Sequence, residues 1–112
     1  MVEQVVRLDA TFTALADPTR RDILRRLSLG ELSVGDLADP YEMSLNAVSK
    51  HLKVLEGAQL IRRRVEGRTH HISLRAEPLS DAVTWLEFYR GFWEGRLDAL
   101  EVLLAKRKGK RR

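Results

Sequence analysis

The stretch from Ser44 to Leu60 constrains this chain more than any other. Ser44 is suited to cap a helix by accepting from the free backbone N–H groups of its first turn, and Gly57 to end it in the left-handed conformation that glycine adopts cheaply. Between them, Leu45, Val48, Leu52 and Leu55 recur at the spacing of a single apolar stripe. Asn46, Ala47, Lys50 and Lys53 face the other way. An outer face with small or amide residues, two lysines and no acid suits a helix lying in the major groove of DNA. An ordinary solvated face can have the same composition, so this helix alone does not separate the two readings.

After Gly57 the period changes from that of a helix to that of a strand. Leu60 to Val65 and Thr69 to Leu74 are short and rich in β-branched residues, and Glu66-Gly67-Arg68 between them is a hairpin signal. The ribbon carries Arg62, Arg63, Arg64 and Arg68. Neighbours on a strand point to opposite sides, so the three consecutive arginines cannot all face one partner, and Arg68 at the tip is best placed for a phosphate or a narrow minor groove.

Three helices are expected before the central one. The first, Val5 to Ala16, sets Val5, Leu8, Phe12 and Leu15 on one stripe. Asp17-Pro18 marks a break and a new start, because Asp caps well and proline is tolerated at the first helical position. The second helix, Pro18 to about Leu29, points Ile23, Leu24 and Leu27 inward and Arg20, Arg21, Arg25 and Arg26 outward, a face read as solvated because Asp22 sits among the arginines. Gly30 closes it. A short third helix starts at Ser33, where Ser33 and Asp36 form a capping pattern, and Asp39-Pro40 stops it. Tyr41 and Met43 lie in the connection as partial core. Two helices so closely joined, with the charged face on the second, form a helix-turn-helix pattern.

Pro78 opens a last and longest helix, expected to run unbroken to about Lys106. Trp85, Phe88, Tyr89, Phe92 and Trp93 place five of the seven aromatic residues within it, followed by Leu97, Leu100, Leu103 and Leu104. These positions cover more of the circumference than one small domain needs, which implies a second subunit. Gly91 and Gly95 would let another helix approach closely. The rival reading is a small-molecule pocket. Residues 1–105 are read as one domain and 106–112 as a basic disordered tail.

The net charge of +4 is less informative than its distribution. Lys and Arg against Asp and Glu number five to seven in residues 1–40, seven to three in 41–75, two to six in 76–105 and six to none in the tail. Positive charge therefore gathers on the central helix and the ribbon after it. The chain has no cysteine, which excludes disulfides and thiolate metal sites. With no long apolar run and no signal peptide, it is expected to be cytoplasmic, with no membrane contact. No catalytic constellation emerges. His51 shares its helix with Lys50 and Lys53, and a phosphate or a helix-packing contact suits it better than proton transfer. His70 and His71 point apart on a strand, and no Gly-rich phosphate loop or nucleophile motif appears. An enzyme, a metal and a cofactor are not expected.

Leu15-Ala16-Asp17-Pro18-Thr19-Arg20-Arg21-Asp22-Ile23-Leu24, Glu31-Leu32-Ser33-Val34-Gly35-Asp36-Leu37-Ala38, Val48-Ser49-Lys50-His51-Leu52-Lys53-Val54-Leu55 and Glu66-Gly67-Arg68 closely resemble the ArsR family of bacterial winged-helix repressors. The likeness covers nearly the whole chain in order and spacing. It implies a mainly α fold with a small β-hairpin, a winged helix-turn-helix that dimerises through its first and last helices. The interface would then draw on Val5, Leu8, Phe12, Trp85, Phe88, Tyr89, Phe92, Trp93, Leu97 and Leu100. The helix after Ser44 would read the major groove, with Asn46 and Lys50 at base edges, Ala47 beside them, and Ser44, Ser49, His51 and Lys53 at phosphates. Arg62, Arg64 and Arg68 would serve from the wing. The partner is then double-stranded DNA bearing a palindromic site, contacted by a homodimeric repressor. Metal sensors of the family place two cysteines where this chain has Ser33 and Gly35, and another metal site in the family uses Asp and His of the last helix, which here has no histidine. Three other readings remain: a sensor for an unidentified small-molecule effector bound at the aromatic helix pair, a protein-interaction module that has lost DNA and, with the least support, metal-dependent derepression.

Overall fold

A computed structural model of the chain describes residues 2–110, leaving the side chains of Trp93, Leu97 and residues 107–110 undescribed. The elements in order are α1 (Val2–Leu15), α2 (Pro18–Leu27), β1 (Leu32–Ser33), α3 (Val34–Ala38), α4 (Leu45–Gly57), β2 (Ile61–Glu66), β3 (Thr69–Leu74), α5 (Glu77–Glu87) and α6 (Arg90–Lys110). They form two compact units, Met1–Asp81 and Ala82–Arg112. None of the described helices is long and apolar enough to cross a membrane.

The first unit closes around Ile23, Leu24 and Leu27 of α2, Leu37 of α3, Val48, Leu52 and Leu55 of α4, and Leu60, Ile61 and Ile72 of the sheet. Ala14 joins them from α1, and Tyr41 and Met43 pack at the edge, as their place in the connection suggests. The starts of α2, α3 and α4 are each fixed by the residue before the helix. The Asp17 carboxylate accepts from the backbone N–H of Arg20, the Ser33 hydroxyl from Asp36, and the Ser44 hydroxyl from Ala47.

The sheet is antiparallel in the order β1-β3-β2, with Leu32 opposite Ile72 and Arg63 opposite Ile72 on the other side. The hairpin was legible, but β1 was not. Leu32 and Ser33 read as the entry to a helix, and only their pairing with β3 makes them a strand. Glu66 faces Thr69, so Gly67 and Arg68 alone make the turn, and the φ of +62° at Gly67 supplies the left-handed first position of a type II′ hairpin.

Three further expectations are corrected. The left-handed residue ending α4 is Gln59 at φ +59°, not Gly57, which is still helical. Gln59 donates its N–H to the Glu56 carbonyl at 2.9 Å and Leu60 to Leu55 at 3.0 Å, the paired bonds of a Schellman end. Leu60 and Leu55 are both buried, which is the apolar contact that accompanies this motif and forces the turn whatever residue sits at 59. The long C-terminal helix is two: α5 ends at Glu87, Phe88 and Tyr89 donate back to Trp85 and Leu86 in tighter three-residue turns, and α6 begins at Arg90. Helical backbone then continues to Lys110. Finally, Leu45 is not part of the buried stripe of α4 but 60% exposed.

Candidate nucleic-acid interface

Helix α4 is anchored from below and open above. Val48, Leu52 and Leu55 are wholly buried, which fixes the rotation of the helix, and Asn46, Lys50 and Lys53 are consequently exposed. None of these three makes an ion pair or a side-chain hydrogen bond among the described residues. Ala47 and Ser49 are half-buried on its flanks, and the Ser44 hydroxyl is engaged in capping. The helix presents its N-terminus beside these residues, where unsatisfied backbone N–H groups and the helix dipole favour an anion.

The arginines of α2 behave differently: Arg21 and Arg25 are exposed, as a solvated face implies, whereas Arg20 and Arg26 are half-buried. Arg20 donates through Nε to the Ala14 carbonyl at 2.8 Å and through Nη2 to the Thr13 carbonyl at 2.9 Å. Arg21 donates to the Leu15 carbonyl at 2.7 Å. Together they satisfy the carbonyls that the end of α1 leaves open. Arg26 does the same for α3, donating to Leu37 and Asp36 at 2.8 Å each, and lies over the Tyr41 ring. Arg25 pairs with Asp22 at 2.7 Å, and Asp22 also accepts from the Tyr41 hydroxyl at 2.5 Å. These bonds from Tyr41 and then Arg25 hold the Asp22 carboxyl below the usual carboxylate range, while burial and the same carboxylate push the Tyr41 phenol up. The connection leading into α4 is thereby tied to α2.

His51 belongs to this set rather than to the outer face. Its Nδ1 lies 3.3 Å from an Arg20 nitrogen and 3.8 Å from the Asp17 carboxylate, a helix-packing contact, which is one of the two expected for it. The Asp17 carboxyl is lowered chiefly by the Arg20 N–H it caps.

On the wing, alternation separates the arginines. Arg63 turns toward α4, donating to Glu56 at 2.7 Å, with His70 Nδ1 at 3.0 Å. Arg62 and Arg64 lie on the opposite face and Arg68 at the tip, all three exposed. Arg64 is held by Glu31 at 2.8 Å and Glu66 at 2.9 Å, which raise its guanidinium further and lower Glu66. The His71 ring stands beside the same two carboxylates. Arg62 and Arg68 have no such partner among the described residues. The free cations of this unit's midsection are thus Lys50, Lys53, Arg62 and Arg68.

Residues 15–64 match the helix-turn-helix domain family. The HTH-type transcriptional regulator Rv2034 of Mycobacterium tuberculosis is 51% identical over 96 residues, covering 86% of this chain and 87% of that protein. The transcriptional repressor SdpR of Bacillus subtilis is 34% identical over 79 residues, covering 70% of this chain and 88% of that one. A crystal structure of an ArsR family transcriptional regulator superposes with a TM-score of 0.74 at 40% identity, covering 79% of this chain and 97% of the other. The chain belongs to the ArsR family. It is a winged helix-turn-helix, DNA-binding transcriptional regulator, with α4 as the second helix of the motif and the β2–β3 hairpin as the wing.

Within this ArsR protein, the positions that resemble a metal sensor's cysteine pair are occupied by a capping serine, whose hydroxyl accepts from the Asp36 N–H at 3.1 Å, and by a glycine. Neither supplies a thiolate, so this pair does not fit a metal ion. Ser33 and Gly35 instead line an open cleft of about 420 Å³ with Val34, Arg63, Arg68, Thr69 and His70. Of the residues assigned to a subunit interface, Val5 is exposed and Leu8 and Phe12 are half-buried. In the second unit Trp85, Phe88, Tyr89, Phe92 and Leu100 are exposed, with Tyr89 against Trp85 and Phe88 at ring separations of 5.1 and 5.0 Å. Trp93 and Leu97, assigned to the same interface, lie outside the described side chains.

Sequence reasoning missed the bonds from Arg20 and Arg21 of α2 to the carbonyls at the end of α1, and the carboxylates that occupy Arg64. Arginines seven and six residues beyond the carbonyls of a preceding helix, across an Asp-Pro break, were the available signal for the first. No local signal announced the second, because Glu31 and Arg64 are joined only by the β1–β3–β2 pairing.

Proposed function

We propose that this regulator acts in the cytoplasm as a homodimeric repressor bound to a palindromic operator, α4 entering the major groove and the wing tracking the adjacent backbone. The observation that carries this reading is the face of α4 on which Asn46, Lys50 and Lys53 stand exposed and uncompensated, on a helix whose other side is fully buried. Asn46 pairs with adenine and Lys50 with guanine, the contacts an amide and an ammonium make in that groove. Ser49 and Lys53 hold phosphates, and Arg62 and Arg68 extend that hold from the wing. The exposed apolar residues of α1, α5, α6 and the α5–α6 connection supply the subunit interface, Phe88 in that connection being 82% exposed in the single chain.

Footprinting on the DNA flanking the protein's own gene, followed by titration of Lys50→Ala on the footprinted and on random duplexes, tests the reading. Lys50→Ala is expected to cost about 1–3 kcal/mol on the operator and much less on random DNA. Equal losses on both remove Lys50 from the base-reading role, and a protein that sediments as a monomer at operator-saturating concentration removes the dimer.

A further inference from the structure

Leu45 is the first residue of α4, immediately after the Ser44 cap, and most of its side chain stands in water while the other leucines of that helix are sealed. Its neighbours on the helix surface, three and four residues on, are the buried Val48 and the half-buried Ser49, and beyond Ser49 the exposed face carries Lys53, Asn46 and Lys50. A large aliphatic group is therefore set into the edge of a surface that is otherwise amide, hydroxyl and ammonium. An apolar protein groove would leave both lysines facing hydrocarbon, so the charge selects a polyanion as the occupant. Among the base edges that a polyanionic duplex displays in its major groove, one group is apolar: the C5-methyl of thymine. The first residues of a recognition helix are those that reach the base edges.

We infer that Leu45 is a specificity-determining residue that reads one thymine of each operator half-site through its C5-methyl group. This rests on α4 being the major-groove helix, and it places an apolar contact next to the polar contacts of Asn46 and Lys50. The exposure that removes Leu45 from the core is what makes it available, and the pairing needs no rearrangement of the buried stripe beneath it.

Deoxyuridine provides the test, because it differs from thymidine by that methyl alone. Each thymine of the footprinted operator is replaced singly by deoxyuridine in matching half-site positions, and the dissociation constant of each duplex is measured for the wild-type protein and for Leu45→Ala. Withdrawing one methyl group from water corresponds to about a fourfold change in Kd per contact. The expected result is a loss of that order at one thymine per half-site for the wild type and none at that position for Leu45→Ala, with the salt dependence of the two proteins the same. Alanine at an exposed first-turn position preserves the helix, and coincident thermal unfolding curves verify this. A wild-type scan that is flat across every thymine, on an operator still bound with sequence preference, overturns the inference while leaving α4 as the reading helix. A loss at the same thymine in both proteins also overturns it. Absence of any sequence preference on the footprinted DNA defeats both this inference and the reading it rests on.

Discussion

Arg64→Ala and Arg68→Ala each remove one guanidinium from the wing, yet the structure predicts opposite outcomes for their salt dependence. Arg64 is held at 2.8 Å by Glu31 and at 2.9 Å by Glu66, whereas Arg68 at the hairpin tip has no acidic partner among the described residues. A cation already paired with carboxylates releases few counterions on meeting a phosphate, while a free one releases close to its full share. For B-DNA each neutralised phosphate contributes about −0.9 to the slope of log Kobs against log salt. The two wings of the proposed homodimer would therefore contribute about −1.8, which between 50 and 200 mM salt amounts to roughly a twelvefold difference in affinity. Arg68→Ala is expected to flatten the slope by about that amount on operator and random DNA alike, and Arg64→Ala to leave it nearly unchanged. Fluorescence anisotropy of a labelled operator across a salt series measures both. Glu31→Gln supplies the complementary arm, steepening the slope by releasing Arg64 from one of its two partners. Equal flattening by Arg64→Ala and Arg68→Ala refutes the reasoning, since it means that the carboxylates yield Arg64 to DNA at no cost.

Two further outcomes are expected from the fold itself. Gln59 carries the left-handed turn after α4 at φ +59°, so Gln59→Gly is expected to stabilise the protein by about 1 kcal/mol, visible as a rise of about 3–5 °C in Tm. An unchanged or lowered Tm shows that the strain is relieved locally. Asp17 and Asp22 have carboxyls held below their ordinary value of 3.8 by the Arg20 N–H and by Tyr41 with Arg25. Their contribution to stability is therefore complete above that value and lost as the pH falls through the lowered folded values. Denaturant titrations at pH 7 and pH 3 are expected to show a smaller acid loss for Asp22→Asn than for the wild type, and an equal loss discounts the Tyr41–Asp22 bond as a source of acid sensitivity.

What the sequence made legible followed from local rules. The caps at Asp17, Ser33 and Ser44 each accept a backbone N–H as their residue type and position foretell, because capping depends on a few consecutive residues. The hairpin at Gly67 is equally local. What stayed hidden depends on neighbours distant in sequence or on where an element happens to end. Periodicity placed Leu45 with Val48 and Leu52, but at the first turn no preceding turn or facing helix covers it. The break at Phe88 and Tyr89 falls inside an uninterrupted apolar pattern, and the weak helix-formers Gly91 and Gly95 lie beyond it, inside α6, where they do not mark its position. For the site, residue type identified the basic stretch, but only coordinates separate free cations from occupied ones.

That separation also explains how a small domain aims its reading helix. Arg20 closes the end of α1 through the Thr13 and Ala14 carbonyls and meets His51 on α4 with the same guanidinium, while Asp17, the cap of α2, stands beside the same imidazole. Three helices thus converge on one polar junction, and hydrogen bonds of fixed direction constrain their mutual angles more tightly than sliding apolar surfaces do. If α1 contributes to the subunit interface, the junction links that interface to α4 within a single turn of each helix. Arg20, half-buried and bonded to both α1 and α4, thus helps to fix the face of α4 on which Asn46 and Lys50 stand, while Arg21 and Arg25 of the same helix remain exposed at the surface.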